Sequence, residues 1–184
     1  MDREKLKNIF NKIGQINPQY SLEEQVHNKA ELIWFIPNPS EEVQLAVVEK
    51  NPYSIRFIQN PSEKVQLAAV RKWGWSIEYI QNPSERVQLA AVEKNQFSIE
   101  DIQNPSEKVQ LAAVKKEPYL IQYIDNPSER VQLAAVERKP YVIQYIKNPS
   151  EKVKKLHRKK TGKYIPSDSI GKKIITRIGK FFGR

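Results

Sequence analysis

The tetrapeptide Asn-Pro-Ser-Glu occurs six times in this chain, and each copy begins 22 residues after the one before it. The copies start at Asn38, Asn60, Asn82, Asn104, Asn126 and Asn148. A fixed period of this length is typical of a solenoid, in which each unit buries its apolar faces only against its neighbours. The sequence therefore predicts an all-α stack of 22-residue helix-turn-helix repeats with helical caps, and it argues against an enzyme.

The chain divides into three segments on this pattern. Residues 1–37 form a predicted N-terminal helical cap, and residues 38–151 hold the repeat array, with five full repeats and the start of a sixth. Residues 152–184 form a basic C-terminal tail that contains a predicted amphipathic helix. Residues 1–151 carry a net charge of −1, whereas residues 152–184 carry +11. Such an asymmetry indicates an anionic partner for the tail.

The second repeat, residues 60–81, illustrates the predicted long helix, here called helix A. A residue before proline favours extended backbone, which suits an N-cap. We therefore expect Asn60 to cap the helix, Pro61 to occupy its first position, and Glu63 to complete a capping box. Helix A is predicted to run from Pro61 to Lys72.

Helix A has apolar residues on two roughly opposite sides. At 100° per residue, one sector contains Val65, Ala68 and Ala69, and the other contains Leu67 and Val70. A surface helix needs only one apolar stripe, whereas a helix between two like neighbours needs two. This pattern predicts stacking of each repeat on both adjacent repeats.

A second, shorter helix is predicted in each repeat after a breaker such as Pro52 or Gly74. Six or seven residues do not form a stable helix alone, so this helix depends on packing and is expected to be partly 3₁₀. It carries two isoleucines and a recurring aromatic residue, which is Tyr53, Trp75, Phe97, Tyr119 or Tyr141. A second aromatic set follows four residues later at Phe57, Tyr79, Tyr123 and Tyr145, and Asp101 interrupts it.

The unit Asn-Pro-Ser-Glu-x-Val-Gln-Leu-Ala-Ala-Val with its Ile-x-x-Ile second helix resembles short helical repeats of many bacterial and phage proteins. These are similar in style to HEAT and leucine-rich-repeat-variant arrays. The resemblance covers residues 38–151 and implies a right-handed α-solenoid, but it implies little about function. The iron–sulfur cluster of some variant-repeat arrays does not carry over, because this chain has no cysteine.

A ladder of basic residues occupies the fifth repeat position. Its members within the array are Lys64, Arg86, Lys108 and Arg130. Helices that pack about 8–10 Å apart would place these charges at similar intervals along one face. Two interpretations stay open: a basic partner-binding groove lined by helix A, or an ordinary solvated face diluted by nearby glutamates.

Two further ladders have both a structural and a binding interpretation. The aromatic ladder can grip a peptide or stack bases, or it can pack one repeat on the next. Trp73 and Trp75 are unusual within the array and are candidate partner-binding residues. The glutamine that recurs at the seventh position is expected to bond to the loop of the adjacent repeat, which is a structural role.

The tail has the strongest charge pattern. Ile170–Arg184, drawn as a helix, separates isoleucine and phenylalanine from lysine and arginine. Three alternatives remain: it caps the last repeat, lies on an anionic membrane, or engages a partner or nucleic acid. The candidate anion-binding residues are Lys152, Lys154, Lys155, Arg158, Lys159, Lys160, Lys163, Lys172, Lys173, Arg177 and Lys180.

Nothing in the sequence indicates catalysis, a cofactor or a metal, since the two histidines lie far apart and no glycine-rich phosphate loop occurs. The absence of cysteine and of an apolar run long enough to span a membrane favours a cytoplasmic setting. The sequence predicts a non-enzymatic α-solenoid that engages a protein partner. The alternatives are nucleic-acid binding through the tail and the basic ladder, and association with an anionic membrane through the tail.

Overall fold

The structure, a computed structural model, describes Ile33, Ile36 and residues 38–163. The predicted N-terminal cap over residues 1–37 and the predicted helix Ile170–Arg184 therefore lie outside the described residues, apart from those two isoleucines. Over residues 38–163 every regular element is a helix and there is no strand.

Long and short helices alternate along these residues with the 22-residue period. The long helices are α1 Glu41–Lys50, α2 Glu63–Lys72, α3 Glu85–Lys94, α4 Glu107–Lys116, α5 Glu129–Arg138 and α6 Glu151–Thr161. The short ones are the 3₁₀ helices η1 Pro52–Phe57, η2 Gly74–Tyr79, η3 Gln96–Asp101, η4 Pro118–Tyr123 and η5 Pro140–Tyr145. The expectation that the second helix of each repeat has 3₁₀ character is confirmed.

The helices form two compact units, divided after Lys94. In the first unit α2 packs between α1 and α3, and each α-helix also packs against the neighbouring 3₁₀ helices. In the second unit α4, α5 and α6 pack in the same order, with η4 and η5 between them. Consecutive repeats thus stack regularly, and the predicted fold class, an all-α solenoid, is confirmed. The hand of its superhelix stays a prediction.

The start of each long helix differs from the sequence prediction. In α2 the N-cap is Ser62, whose hydroxyl oxygen accepts a hydrogen bond from the backbone N–H of Val65 at 3.4 Å. Asn60 instead has a left-handed backbone with φ of 50°, and so do the asparagines that open the other four full repeats. Asparagine tolerates this conformation better than other side chains do. The predicted Asn60 cap and Glu63 capping box were therefore wrong by two residues, since Glu63 is the first helical residue.

Both apolar sectors of the long helix are buried. In α2 the buried residues are Val65, Leu67, Ala69 and Val70. In α6, by contrast, the residues at the positions of Val65 and Ala69 are buried, whereas those at the positions of Leu67 and Val70 are exposed lysine and arginine. Because α6 packs on α5 and η5, the Val65 and Ala69 sector faces the preceding repeat and the other sector faces the following one.

The recurring glutamine fastens the loop of its own repeat. The side-chain amides of Gln44, Gln66, Gln88, Gln110 and Gln132 each donate to the carbonyl oxygen of the proline five residues earlier, at 2.9–3.0 Å. The predicted bond to the adjacent repeat occurs at Gln132, whose side-chain oxygen accepts from the backbone N–H of Ser150 at 3.2 Å. The structural role is thus mainly within one repeat.

A buried serine in the 3₁₀ helix links neighbouring repeats. Ser76 is fully buried and its hydroxyl donates to the carbonyl oxygen of Pro52, in the preceding repeat, at 3.2 Å. Ser54 holds the same repeat position and is equally buried, but its hydroxyl has no hydrogen-bond partner. We expect Ser76→Ala to lower the free energy of unfolding by about 1 kcal/mol and Ser54→Ala to leave it unchanged or raise it. Chemical denaturation of both variants checks this, and equal losses would contradict it.

Candidate interaction surfaces

The first residue of each long helix reaches the next repeat. Glu41 accepts a hydrogen bond from the Ser62 hydroxyl at 2.5 Å and pairs with the Lys64 ammonium at 3.4 Å. Glu63 accepts from Ser84 in the same way and pairs with Arg86 at 3.4 Å. In the second unit Glu107 accepts from Ser128 and lies 3.9 Å from the Arg130 guanidinium, and Glu129 pairs with Lys152 at 2.8 Å.

These contacts stabilise the charged form of the glutamates. The hydrogen bond from Ser62 holds the pKa of Glu41 below its ordinary value, and the Lys64 ammonium adds to that effect. At Glu129 the pKa is lowered chiefly by the hydrogen bond from Lys152 and then by the one from Ser150. Because Glu41 is exposed and Glu129 is only partly buried, these contacts set the register between repeats and add little stability.

The basic ladder therefore runs alongside an acidic one. Lys64, Arg86 and Arg130 keep exposed side chains, yet each faces a glutamate of the preceding repeat. Lys108 holds the same position and is also exposed. Rows of alternating sign produce a weak net field, which favours the solvated-face interpretation of this ladder.

In the first unit the aromatic residues cover one another. The Tyr53 ring lies edge-on to Tyr79 with centroids 5.2 Å apart, and 5.9 Å from the Trp73 ring. The Arg56 guanidinium stacks over the Tyr53 ring at 4.6 Å and over the Phe57 ring at 4.9 Å. As a result, the rings of Tyr53, Phe57, Trp73 and Tyr79 are half-buried, and the ring of Trp75 is half-buried as well.

In the second unit most of the described aromatic side chains are open to solvent, although Tyr145 is half-buried and its ring lies edge-on to Tyr119 with centroids 6.0 Å apart. Within the described part of the chain the exposed large hydrophobic side chains are Phe97, Tyr119, Tyr123 and Tyr141, with 41%, 39%, 42% and 57% of their surface accessible. All four lie on the 3₁₀ helices of this unit. Where the first unit has Arg56 over its rings, the equivalent residues here are Glu100, Gln122 and Gln144. We call Phe97, Tyr119 and Tyr123 the aromatic strip.

A carboxylate and a phenol are coupled in the strip. The Tyr123 hydroxyl and the Glu100 carboxylate lie close enough for each to shift the pKa of the other. Partial burial raises the pKa of Glu100, the Tyr123 hydroxyl opposes that rise, and the charge of Asp101 adds to it. Burial also raises the pKa of Tyr123, and the Glu100 charge adds to that rise. The strip thus offers a hydroxyl and a carboxylate beside its rings, which are groups that can orient a partner's polar atoms.

A shallow pocket lies between the loops of the last two full repeats. Gln122, Gln132 and Tyr145 contribute to its wall, and Asp125 and Lys147 form an ion pair of 3.7 Å at the same place. Its lining contains no histidine, serine or cysteine.

Helix α6 places the first residues of the predicted tail in the array. It begins at Glu151, packs on α5 and η5, and ends at Thr161, and the C-cap residue Gly162 has a left-handed φ of 67°. Six of its eleven residues are lysine or arginine. Lys152, Lys154 and Lys160 pair with Glu129, Glu151 and Glu137 at 2.8, 2.6 and 2.6 Å. Lys155, Arg158 and Lys159 are exposed.

His157 is a residue whose role sequence analysis missed. It is buried, and its Nδ1 lies 2.9 Å from the carbonyl oxygen of Pro140, so the tautomer protonated at Nδ1 donates there. Its ring also meets the Tyr141 ring edge-on, with centroids 6.3 Å apart. Four of the five full repeats have alanine at this position. Histidine in place of this alanine could have been noticed in the sequence, because a larger side chain at a closely packed position must make new contacts.

The remaining predicted anion-binding residues, Lys172, Lys173, Arg177 and Lys180, lie outside the described residues. Among the residues that are described, no group of three or more histidine, aspartate or glutamate side chains is arranged to hold a metal ion. Likewise, none of the helices over residues 38–163 combines the length and apolarity needed to cross a membrane.

No family model, curated protein or solved structure matches this chain.

Proposed function

We propose that this chain is a non-enzymatic binding protein whose α-solenoid engages a protein partner through the aromatic strip. The supporting observation is the exposure of Phe97, Tyr119 and Tyr123 on successive 3₁₀ helices of one unit. Aromatic side chains, tyrosine in particular, dominate the binding energy of many protein interfaces. A row of them on a stacked scaffold presents rigid apolar surface together with hydroxyl groups.

The basic ladder has a smaller place in this proposal. Lys108 and Arg130 lie in the unit that holds the strip and supply further contacts, because an exposed ion pair such as that of Arg130 with Glu107 is weak enough to exchange its glutamate for a carboxylate of the partner. Lys64 and Arg86, in the first unit, stay predicted partner contacts. Trp73 and Trp75, in the first unit, stay predicted partner contacts. In keeping with the resemblance to bacterial and phage repeats, we place this binding in the cytoplasm of a bacterium or an infected bacterial cell.

The alternative functions depend on the C-terminal residues. Nucleic-acid binding through the ladder has less support, because Lys64, Arg86 and Arg130 each face a glutamate. Membrane association depends on Ile170–Arg184, and it predicts that vesicles with anionic lipid increase the helical circular dichroism signal of the chain. An unchanged spectrum would exclude it.

Crosslinking at the aromatic strip tests the protein-partner function. A photoreactive phenylalanine analogue in place of Tyr123 is expected to capture one protein species from a nuclease-treated bacterial lysate. With that species purified, the double variant Tyr119→Ala, Tyr123→Ala should weaken binding about 30-fold or more, since hot-spot truncations cost about 2 kcal/mol or more. Calorimetric titration measures the change.

Gln103→Ala and Lys115→Ala serve as controls, because both side chains are exposed in the same unit and neither is aromatic. They should bind as the unchanged protein does. The proposal fails if the double variant keeps its affinity while remaining folded, or if capture occurs only in a lysate that has not been treated with nuclease.

A further inference from the structure

We propose that the outward side of α6, together with Tyr141, binds single-stranded nucleic acid. This site is independent of the aromatic strip and of any protein partner there. Its cations contact phosphates and its exposed ring stacks on a base, which is the usual combination in proteins that hold single strands.

The outward side of α6 has cations at positions that carry apolar residues elsewhere. Lys155 and Arg158 occupy the repeat positions of Leu67 and Val70, which are buried in α2. In α6 both positions are exposed, and exposed Lys159 follows directly. A terminal repeat needs polar residues on its outer face to stay soluble, but solubility does not require that these residues all carry positive charge. The outward side of α6 is therefore a cationic surface as well as a polar end.

The acidic residues around α6 do not neutralise this surface. Glu129 pairs with Lys152, Glu137 pairs with Lys160, and Glu151 pairs with Lys154 of its own helix. Within the described part of the chain, Lys155 and Lys159 form no ion pair. They lie one helical turn apart, at a spacing of about 6 Å that suits successive phosphates of one strand.

An aromatic ring lies beside the last turn of α6. Tyr141 is the most exposed large hydrophobic residue described, and its contact with His157 fixes it next to that turn. The Lys163 ammonium lies 6.0 Å from the centroid of the Tyr141 ring. A base on the open face of Tyr141 would thus have a cation close by for its phosphate. Stacking of this kind contributes about 5- to 150-fold in affinity per base.

Single-stranded nucleic acid fits these features better than a membrane does. A helix that lies on a membrane buries an apolar face among the lipids. The residues of α6 that face away from α5 are Lys155, Arg158 and Lys159, with only half-buried Leu156 beside them. An acidic protein would match the charge but would give the Tyr141 ring no particular role.

Fluorescence anisotropy with the full chain tests the proposal, with a labelled single strand of roughly 20 nucleotides as the probe. The variant Lys155→Glu, Lys159→Glu should bind about tenfold more weakly or worse, and its log–log salt slope should be shallower by about 1.4, as expected for two lost phosphate contacts. Tyr141→Ala should weaken single-strand binding at least about fivefold and leave that slope unchanged. Circular dichroism confirms that each variant is folded.

The matched control is Arg71→Glu, Lys115→Glu, which makes the same charge change at the repeat position that Lys159 holds in α6. It should keep most of the affinity. Equal losses in both double variants would overturn the proposal, because net charge alone would explain them. It is also overturned if the probe does not bind, if duplex binds as tightly as the single strand, or if phosphatidylserine vesicles or polyglutamate compete as well as unlabelled single strand does.

Discussion

Removal of residues 60–81 as one block is expected to leave a folded protein with one repeat fewer. The deletion takes out α2 and η2 and joins Gln59 to Asn82, so the sequence around the junction still reads Ile-Gln-Asn-Pro-Ser-Glu. Helix α3 then presents to α1 the same residue types that α2 presented, and Ser84 can reach Glu41 as Ser62 does now. In a solenoid each repeat contacts only its neighbours, so stability falls by one interface while the fold is retained.

Deletion of residues 60–70, half of the same repeat, provides the contrast. It removes most of α2, leaves η2 without its long helix, and places a 3₁₀ helix where α1 requires an α-helix. We expect the variant to lose cooperative thermal unfolding in the first unit, whereas the full-repeat deletion keeps a single transition and the same mean residue ellipticity. Circular dichroism melts of both compare them. A full-repeat deletion as disruptive as the half-repeat deletion would contradict independent stacking of the repeats.

Leu120→Ala is expected to lower the free energy of unfolding by about 2–5 kcal/mol. Leu120 is 1% exposed in η4, at the position that serine holds in the first three repeats, so its truncation leaves a cavity inside the stack. Urea unfolding measures the effect, and the slope of the free energy against urea should not change. The exposed control Gln103→Ala should stay within about 0.5 kcal/mol of the parent. A loss below 1 kcal/mol at Leu120 would mean that η4 is not firmly packed.

The repeat period predicted much of this fold from sequence. The two apolar sectors of helix A, its end at Lys72 and the 3₁₀ character of the second helix all follow from residue spacing. The start of the helix did not follow, because Asn-Pro-Ser-Glu contains two residues that can act as an N-cap. Preference for extended backbone before proline favoured Asn60, yet the chain adopts a left-handed turn there and Ser62 forms the cap.

The surfaces were harder to predict because their character depends on contacts between repeats. The partner of each ladder cation is a glutamate 23 residues earlier, as in Glu41 and Lys64, and that spacing is invisible to an analysis of one repeat. Aromatic exposure differs between the units although the residue types match. Tyr53 is covered by Arg56 and Trp73, whereas Tyr119 has Gln122 and Lys139 at the corresponding positions and stays exposed.

The contacts from Glu41 to Ser62 and from Glu107 to Ser128 all point towards the C-terminus, so every repeat has a donating side and an accepting side. Identical units with this polarity would add head to tail without limit if the last one matched the rest, and open fibres arise in that way. In α6 the corresponding glutamate, Glu151, pairs instead with Lys154 of its own helix. The exposed Lys155 and Arg158 also stand where a repeat stacked on α6 would need leucine and valine. A further repeat that stacked on α6 would therefore meet two cations where each of the other five long helices has leucine and valine.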